Sequence, residues 1–161
     1  MSSQHTNRPA ILSELAPVFT SLHDAKVQKQ LSFEDISKKI NRSEWYTAAI
    51  FYGQAKPEKK DLKALSEALE VPFEELNAVM GSHFYPTRGL GQFPPQDPTI
   101  YRLYECLVVY GHPLKAMIHE KFGDGIMSLI DFYGDMERVK DPAGDRVKIT
   151  LNGKFLPYKR W

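Results

Sequence analysis

Cysteine is almost absent from this sequence. Cys106 stands alone among 161 residues, so no intramolecular disulfide can form, and there is neither a CxxC pair nor a Cys/His cluster with zinc spacing. A reducing compartment is the expected setting. Long hydrophobic runs are missing too: no apolar stretch approaches the roughly 20 residues of a membrane span. The opening MSSQHTNRPA lacks the apolar centre of a secretory signal. The cytoplasm is therefore the expected location, with Arg8 and the lack of any acid before Glu14 leaving some room for organelle targeting. An excess of one charge is also lacking. The 21 Lys+Arg stand against 20 Asp+Glu, a formal net charge of +1, which offers neither a polyanion-binding surface nor an acidic tail.

What the chain does have is core-forming material, 42% hydrophobic and 12% aromatic, enough for one ordinary domain or two small ones. Residues 1 to 9 are polar and aperiodic and read as a disordered tail. Order is expected from Ala10. Ile11, Leu15, Val18, Phe19 and Leu22 recur at helical spacing, with Pro17 at a break or first-turn position. Ser32, Glu34 and Asp35 open a short helix with Ile36 and Ile40 inward, ending near Asn41. Ser43 caps the next, which carries Trp45, Ala48, Ala49 and Tyr52 and stops at Gly53. Pro57 to Leu69 aligns Leu62, Leu65 and Leu69, and a last short helix precedes Gly81.

The succession of helix, tight turn, helix, loop and helix over residues 30 to 80 resembles the lambda-repressor type of helix-turn-helix domain. A recognition helix reads bases and phosphates with Arg, Lys, Asn or Gln near its N-terminus. Here that helix offers Ser43, Glu44, Trp45, Tyr46 and Thr47, with no Lys or Arg between Arg42 and Lys56. Such a face suits packing better than phosphate backbone, and nucleic acid is not the expected partner. The predicted domains are thus residues 10–81, helical; 82–97, a Pro- and Gly-rich linker too apolar to stay wet; and 98–161, a smaller α/β domain.

Asp97-Pro98 is a helix opening: Asp accepts from first-turn amides, and Pro loses no hydrogen bond there. The helix is predicted to reach Tyr110, with Ile100, Leu103, Tyr104, Leu107 and Val108 inward. Arg102, Glu105 and Val109 share the opposite face. By spacing alone Arg102 and Glu105 form an ordinary surface pair. Tyr101, Cys106 and Val109 make that face too apolar for a monomer's wet surface, which points to burial against another subunit. A second helix is predicted from Pro113 to Gly123. His112, His119 and Glu120 on and before it do not match HExxH, so no metal site is expected. After Gly123-Asp124-Gly125, residues 126 to 133 read as a strand with Ser128 at its start. No GxSxG elbow makes that serine a nucleophile. Val147, Ile149 and Leu151 alternate, and Asn152-Gly153 predicts a hairpin turn. So little sheet cannot bury itself, and pairing across a dimer is the economical solution.

DPTIYRLYE, VVYGHPLKAMIHEKFGDGIMS and ITLNGKFLPYKRW together resemble the cyanase (cyanate hydratase, cyanate lyase) family, densely from Pro86 to Trp161. The helical first half is similar to that family's N-terminal domain. The resemblance implies an α+β chain: an all-helical lambda-repressor-like bundle, then a small α/β dimerisation and catalytic domain. It implies a lyase that decomposes cyanate with bicarbonate as co-substrate, giving ammonia and carbon dioxide through carbamate, without metal or organic cofactor. It also implies a decamer of five dimers with interfacial sites, and it puts the catalytic roles on Arg102, Glu105 and Ser128. The alternative is a helix-turn-helix regulator whose second half dimerises and senses an anion through Arg102.

Overall fold

The computed structural model describes residues 9–161. The predicted tail therefore lies outside the described residues except for Pro9. The chain divides into two compact units, one ending at Leu90 and one spanning Gly91–Trp161.

In the first unit a short 3₁₀ helix, Ala10–Glu14, precedes α1 (Pro17–Gln28), α2 (Phe33–Ile40), α3 (Glu44–Phe51), α4 (Lys59–Leu69) and α5 (Phe73–Met80). Their apolar stripes converge on one core, with Leu22, Ile36, Ile50, Phe51, Leu65, Leu76 and Met80 sealed from solvent. The caps set the boundaries. The Ser32 hydroxyl accepts from the Asp35 amide at 3.0 Å, and Asp35 Oδ2 accepts from the Ser32 hydroxyl at 2.6 Å and from the Ser32 amide at 2.9 Å, two bonds that hold the Asp35 carboxyl below its usual pKa. At Gly53, φ is +65°, and a Cβ there would stand 3.2 Å from the tip of the Phe19 ring, so a larger residue would be strained and tightly packed at this turn. Residues 81 to 90 fold back on this unit: Phe84 meets Phe19 with ring centroids 6.2 Å apart, and the Gly89 amide donates to Gln54 Oε1 at 2.8 Å.

One feature of this unit has no counterpart in the hydrophobic pattern. Asp61, on α4 and only 1% exposed, accepts from Arg42 Nε at 2.8 Å, from Arg42 Nη2 at 3.0 Å and from the Glu58 amide at 2.9 Å. Arg42 also reaches Glu58 at 3.0 Å and lies over the Tyr46 ring. This fork ties the start of α3 to the start of α4. It also engages the one cation at the entrance of the would-be recognition helix.

The second unit holds α6 (Pro98–Phe122), β1 (Gly125–Val139) and β2 (Arg146–Pro157), the strands forming a two-stranded antiparallel sheet. Asp97 Oδ1 accepts from the Thr99 and Ile100 amides at 2.9 and 3.0 Å, and Pro98 takes the first helical position. Three expectations are corrected here. The two helices predicted on either side of Gly111 are one 25-residue helix with Pro113 inside it. Proline removes one backbone bond but holds φ near the helical value. With only Gly111-His112 before it there is no segment of turn chemistry to break the run.

The hairpin turn is not at Asn152-Gly153. Those residues lie within β2, opposite Tyr133 and Phe132. The chain reverses between the strands at 140–145, where Asp141 Oδ1 accepts from the Ala143 amide at 2.9 Å and Gly144 adopts φ +125°. The Asp-Pro-Ala-Gly segment satisfies its own polar groups and supplies the positive φ, and β1 consequently runs six residues beyond the predicted Tyr133.

Finally, the stripe of α6 expected to face inward is not covered by its own chain. No α6 residue is buried, and Ile100, Leu103, Leu107 and Val108 are all exposed. A two-stranded ribbon is too little surface to cover a 25-residue helix.

Candidate active site

Arg102 and Glu105 lie one turn apart on α6, and Arg102 Nη1 donates to Glu105 Oε2 at 2.6 Å. Their side chains are 71% and 43% exposed within the chain. The hydrogen bond that Arg102 donates to Glu105 raises the Arg102 pKa further, so its charge is fixed. The Tyr101 ring flanks the guanidinium, 5.9 Å from centroid to Cζ. A guanidinium has five N–H donors. The bond to Glu105 occupies one, and with the side chain 71% exposed within the chain the other four have no hydrogen-bond partner among the described residues.

Ser128 is set differently. It lies in β1, is 5% exposed, and its Oγ accepts from the amides of Ile130 and Asp131, each at 3.0 Å. These contacts belong to a break in the ladder. Met127 pairs with Phe155 and Phe132 with Gly153, so residues 128 to 131 bulge opposite Lys154 alone. Lys154 Nζ lies 3.8 Å from Asp131 Oδ2 across this bulge.

The structure thus brings Arg102 and Glu105 together but does not bring Ser128 to them. Among the described residues no hydrogen bond or ion pair joins Ser128 to either. Chain geometry sets a lower bound on their separation. Arg102 precedes the end of α6 at Phe122 by 20 residues, about 30 Å of helix. Six extended residues from Phe122 to Ser128 span at most about 20 Å. Roughly 10 Å is then the least separation of the two α-carbons, a gap at the limit of what an extended arginine and a serine bridge within one chain.

Sequence reasoning missed the bulge and Gly153. A glycine inside an alternating strand pattern is a signal for a bulge or close backbone approach, and the Asn-Gly hairpin reading displaced it. Among the described residues no group of three His, Cys, Asp or Glu side chains is placed to hold a metal ion, His112, His119 and Glu120 included.

Comparison with known proteins meets this arrangement from outside. Residues 92–160 match the cyanate lyase C-terminal domain family. A cyanate hydratase of Mycosarcoma maydis is 62% identical over the whole of both chains. The chain belongs to the cyanate hydratase family. A cyanate hydratase of Nostoc sp. is 50% identical over 88% of this chain and 94% of its own. The crystal structure of cyanase from T. urticae superposes with a TM-score of 0.74 at 32% identity, over 87% of this chain and 96% of that one. The family match spans α6, both strands and all three candidate residues. Membership makes the chain an enzyme of the lyase class with an α+β fold, a helical bundle followed by a small C-terminal unit.

Proposed function

We propose that this chain decomposes cyanate in a bicarbonate-dependent reaction, with both anions held by Arg102 and Ser128 and with Glu105 orienting Arg102. The observation that carries this is the Arg102–Glu105 pair, 2.6 Å apart on a helix whose apolar faces its own chain leaves uncovered. Two anions repel, and a guanidinium fixed in plane and fully charged offsets that repulsion while dictating their orientation. A bicarbonate oxygen attacks the cyanate carbon, forming a C–O bond. The bond between that oxygen and the bicarbonate carbon then breaks, releasing carbon dioxide and leaving carbamate. Carbamate takes up protons at nitrogen and splits into ammonia and a second carbon dioxide. The whole consumes cyanate, bicarbonate and two protons and yields one ammonia and two carbon dioxide molecules. No step calls for a metal or organic cofactor.

In this reading the uncovered faces of α6 are buried between copies, and a decamer of five dimers supplies Ser128 and Arg102 to one site from different chains. The enzyme is expected in the cytoplasm. The regulator alternative is weaker, because Arg42 is already held by Asp61 and Glu58 and so is not free for DNA phosphates. Purified protein given cyanate is expected to release ammonia only when bicarbonate is present, and to do so from an assembled particle. Absence of turnover, or a fully active monomer by light scattering coupled to the assay, would overturn the proposal.

A further inference from the structure

The ladder break around Ser128 is built by a residue with no side chain. A Cβ on Gly153 would collide with the Ser128 carbonyl oxygen, would come within 2.7 Å of Met127 Cγ and would stand 3.2 Å from the Ser128 carbonyl carbon. Two of these three atoms are backbone and cannot swing aside. Gly153 is not among the residues with positive φ, so it is there for space and not for its torsion angles. Its bare α-carbon lets β1 lie over β2 at Ser128. There, four residues of β1 are accommodated opposite Lys154.

That close approach fixes the chemistry of the serine. A hydroxyl has two acceptor lone pairs and one proton to donate. In Ser128 both lone pairs are taken, by the Ile130 and Asp131 amides at 3.0 Å each. Only the O–H remains. A serine held this way cannot take a proton and presents no free lone pair to an electrophile, but it can donate one hydrogen bond to an anion.

Resting on the reading of Ser128 as a substrate-contacting group, we propose that Gly153 is a positioning residue for the reaction. By admitting the Ser128 backbone over β2 it maintains the bulge whose two amides lock the Ser128 hydroxyl as a donor toward the anionic substrates. The class of ligand group follows: an oxyanion or a carboxyl oxygen, never a donor N–H or O–H.

A double-mutant cycle on the assembled enzyme tests this. Ser128→Ala, Gly153→Ala and the double variant are compared by kcat/KM for cyanate at saturating bicarbonate, each first checked for wild-type particle size. The expected result is a loss of at least about tenfold for Gly153→Ala and no further loss when it is added to Ser128→Ala. Equal losses in both backgrounds, or near-native Gly153→Ala, would overturn the proposal. Wild-type activity in Ser128→Ala would instead remove the parent reading, and the proposal with it. If Ser128→Ala has no measurable rate, amide exchange at Ile130 and Asp131 decides. Faster exchange in Gly153→Ala supports the proposal, and unchanged protection alongside lost activity overturns it. If Gly153→Ala does not assemble, Ile130→Pro takes its place: it deletes one of the two amide anchors at a side chain 98% exposed within the chain and adds nothing between the strands. The same outcomes then decide, with the Asp131 amide read by exchange.

Discussion

Arg102→Lys keeps the charge and discards the fork. On the proposed reading it isolates what the guanidinium does. Of five N–H donors, Arg102 gives one to Glu105 and keeps four, enough for two anions to be held through two bonds each. A lysine has three donors on one atom. After one is given to Glu105, two remain, and they diverge from a point instead of lying in a plane. Two charge-assisted bonds are lost, and with each worth roughly a tenfold factor in the transition state, kcat/KM should fall on the order of a hundredfold. The fold should not notice. Arg102 is 71% exposed, it contacts no core, and the thermal midpoint should stay within about 2 °C of wild type. The assay is initial ammonia release with cyanate and bicarbonate varied in turn, on protein of verified particle size. Near-native turnover would refute the bidentate role. Loss of activity together with loss of assembly would show that Arg102 acts in the interface and not on the anions.

Two further outcomes concern the helical unit. Arg42→Met leaves the Asp61 carboxylate, 1% exposed, with the Glu58 amide as its remaining partner among those described, and should cost about 3 kcal/mol, the low end for breaking a buried pair because Arg42 itself reaches solvent. Urea denaturation reads this as a lowered midpoint for the helical unit, and an unchanged midpoint would refute it. His23 sits edge-on to Phe51 and Tyr52, with centroids 5.4 and 4.9 Å away, and its Nε2 has no hydrogen-bond partner. Burial, assisted by Lys26 and opposed by Asp24, lowers its pKa from 6.5. The folded state therefore holds the neutral ring while the unfolded state takes up a proton, so stability is full above pH 6.5 and declines as the pH falls through that value. His23→Phe should flatten the decline, and an unaltered slope in the variant would rule His23 out as its source.

The helical unit was legible because its signals are local. The Ser32 cap with Asp35, the Ser43 cap and the Gly53 stop each depend on residues within one turn, and each appears where spacing put it. What was not legible depends on distance along the chain. Arg42 and Asp61 are 19 residues apart, and no periodicity relates them. Pro113 reads as a start because its missing N–H suits a first turn, yet the same fixed φ lets it stay inside a helix whose flanking turns are intact. Asn152-Gly153 reads as a turn for the same kind of reason. The competing Asp-Pro-Ala-Gly segment closes its own hydrogen bonds and leaves the glycine free for another use.

The candidate residues themselves divide along the same line. Arg102 and Glu105 are a local pair, and helical spacing alone puts their tips together. Ser128 is not local to them. About 30 Å of helix followed by at most about 20 Å of strand sets their α-carbons at least about 10 Å apart, and within the chain no hydrogen bond joins Ser128 to either residue. That separation and the uncovered stripes of α6 call for the same remedy. On the proposed reading another copy covers this helix, and that copy also brings the serine that completes the site. On the proposed reading, assembly and catalysis would therefore be lost together. Mixing an Arg102→Ala chain with a Ser128→Ala chain should restore activity wherever a site draws its arginine from one parent and its serine from the other, whereas each parent alone stays inactive.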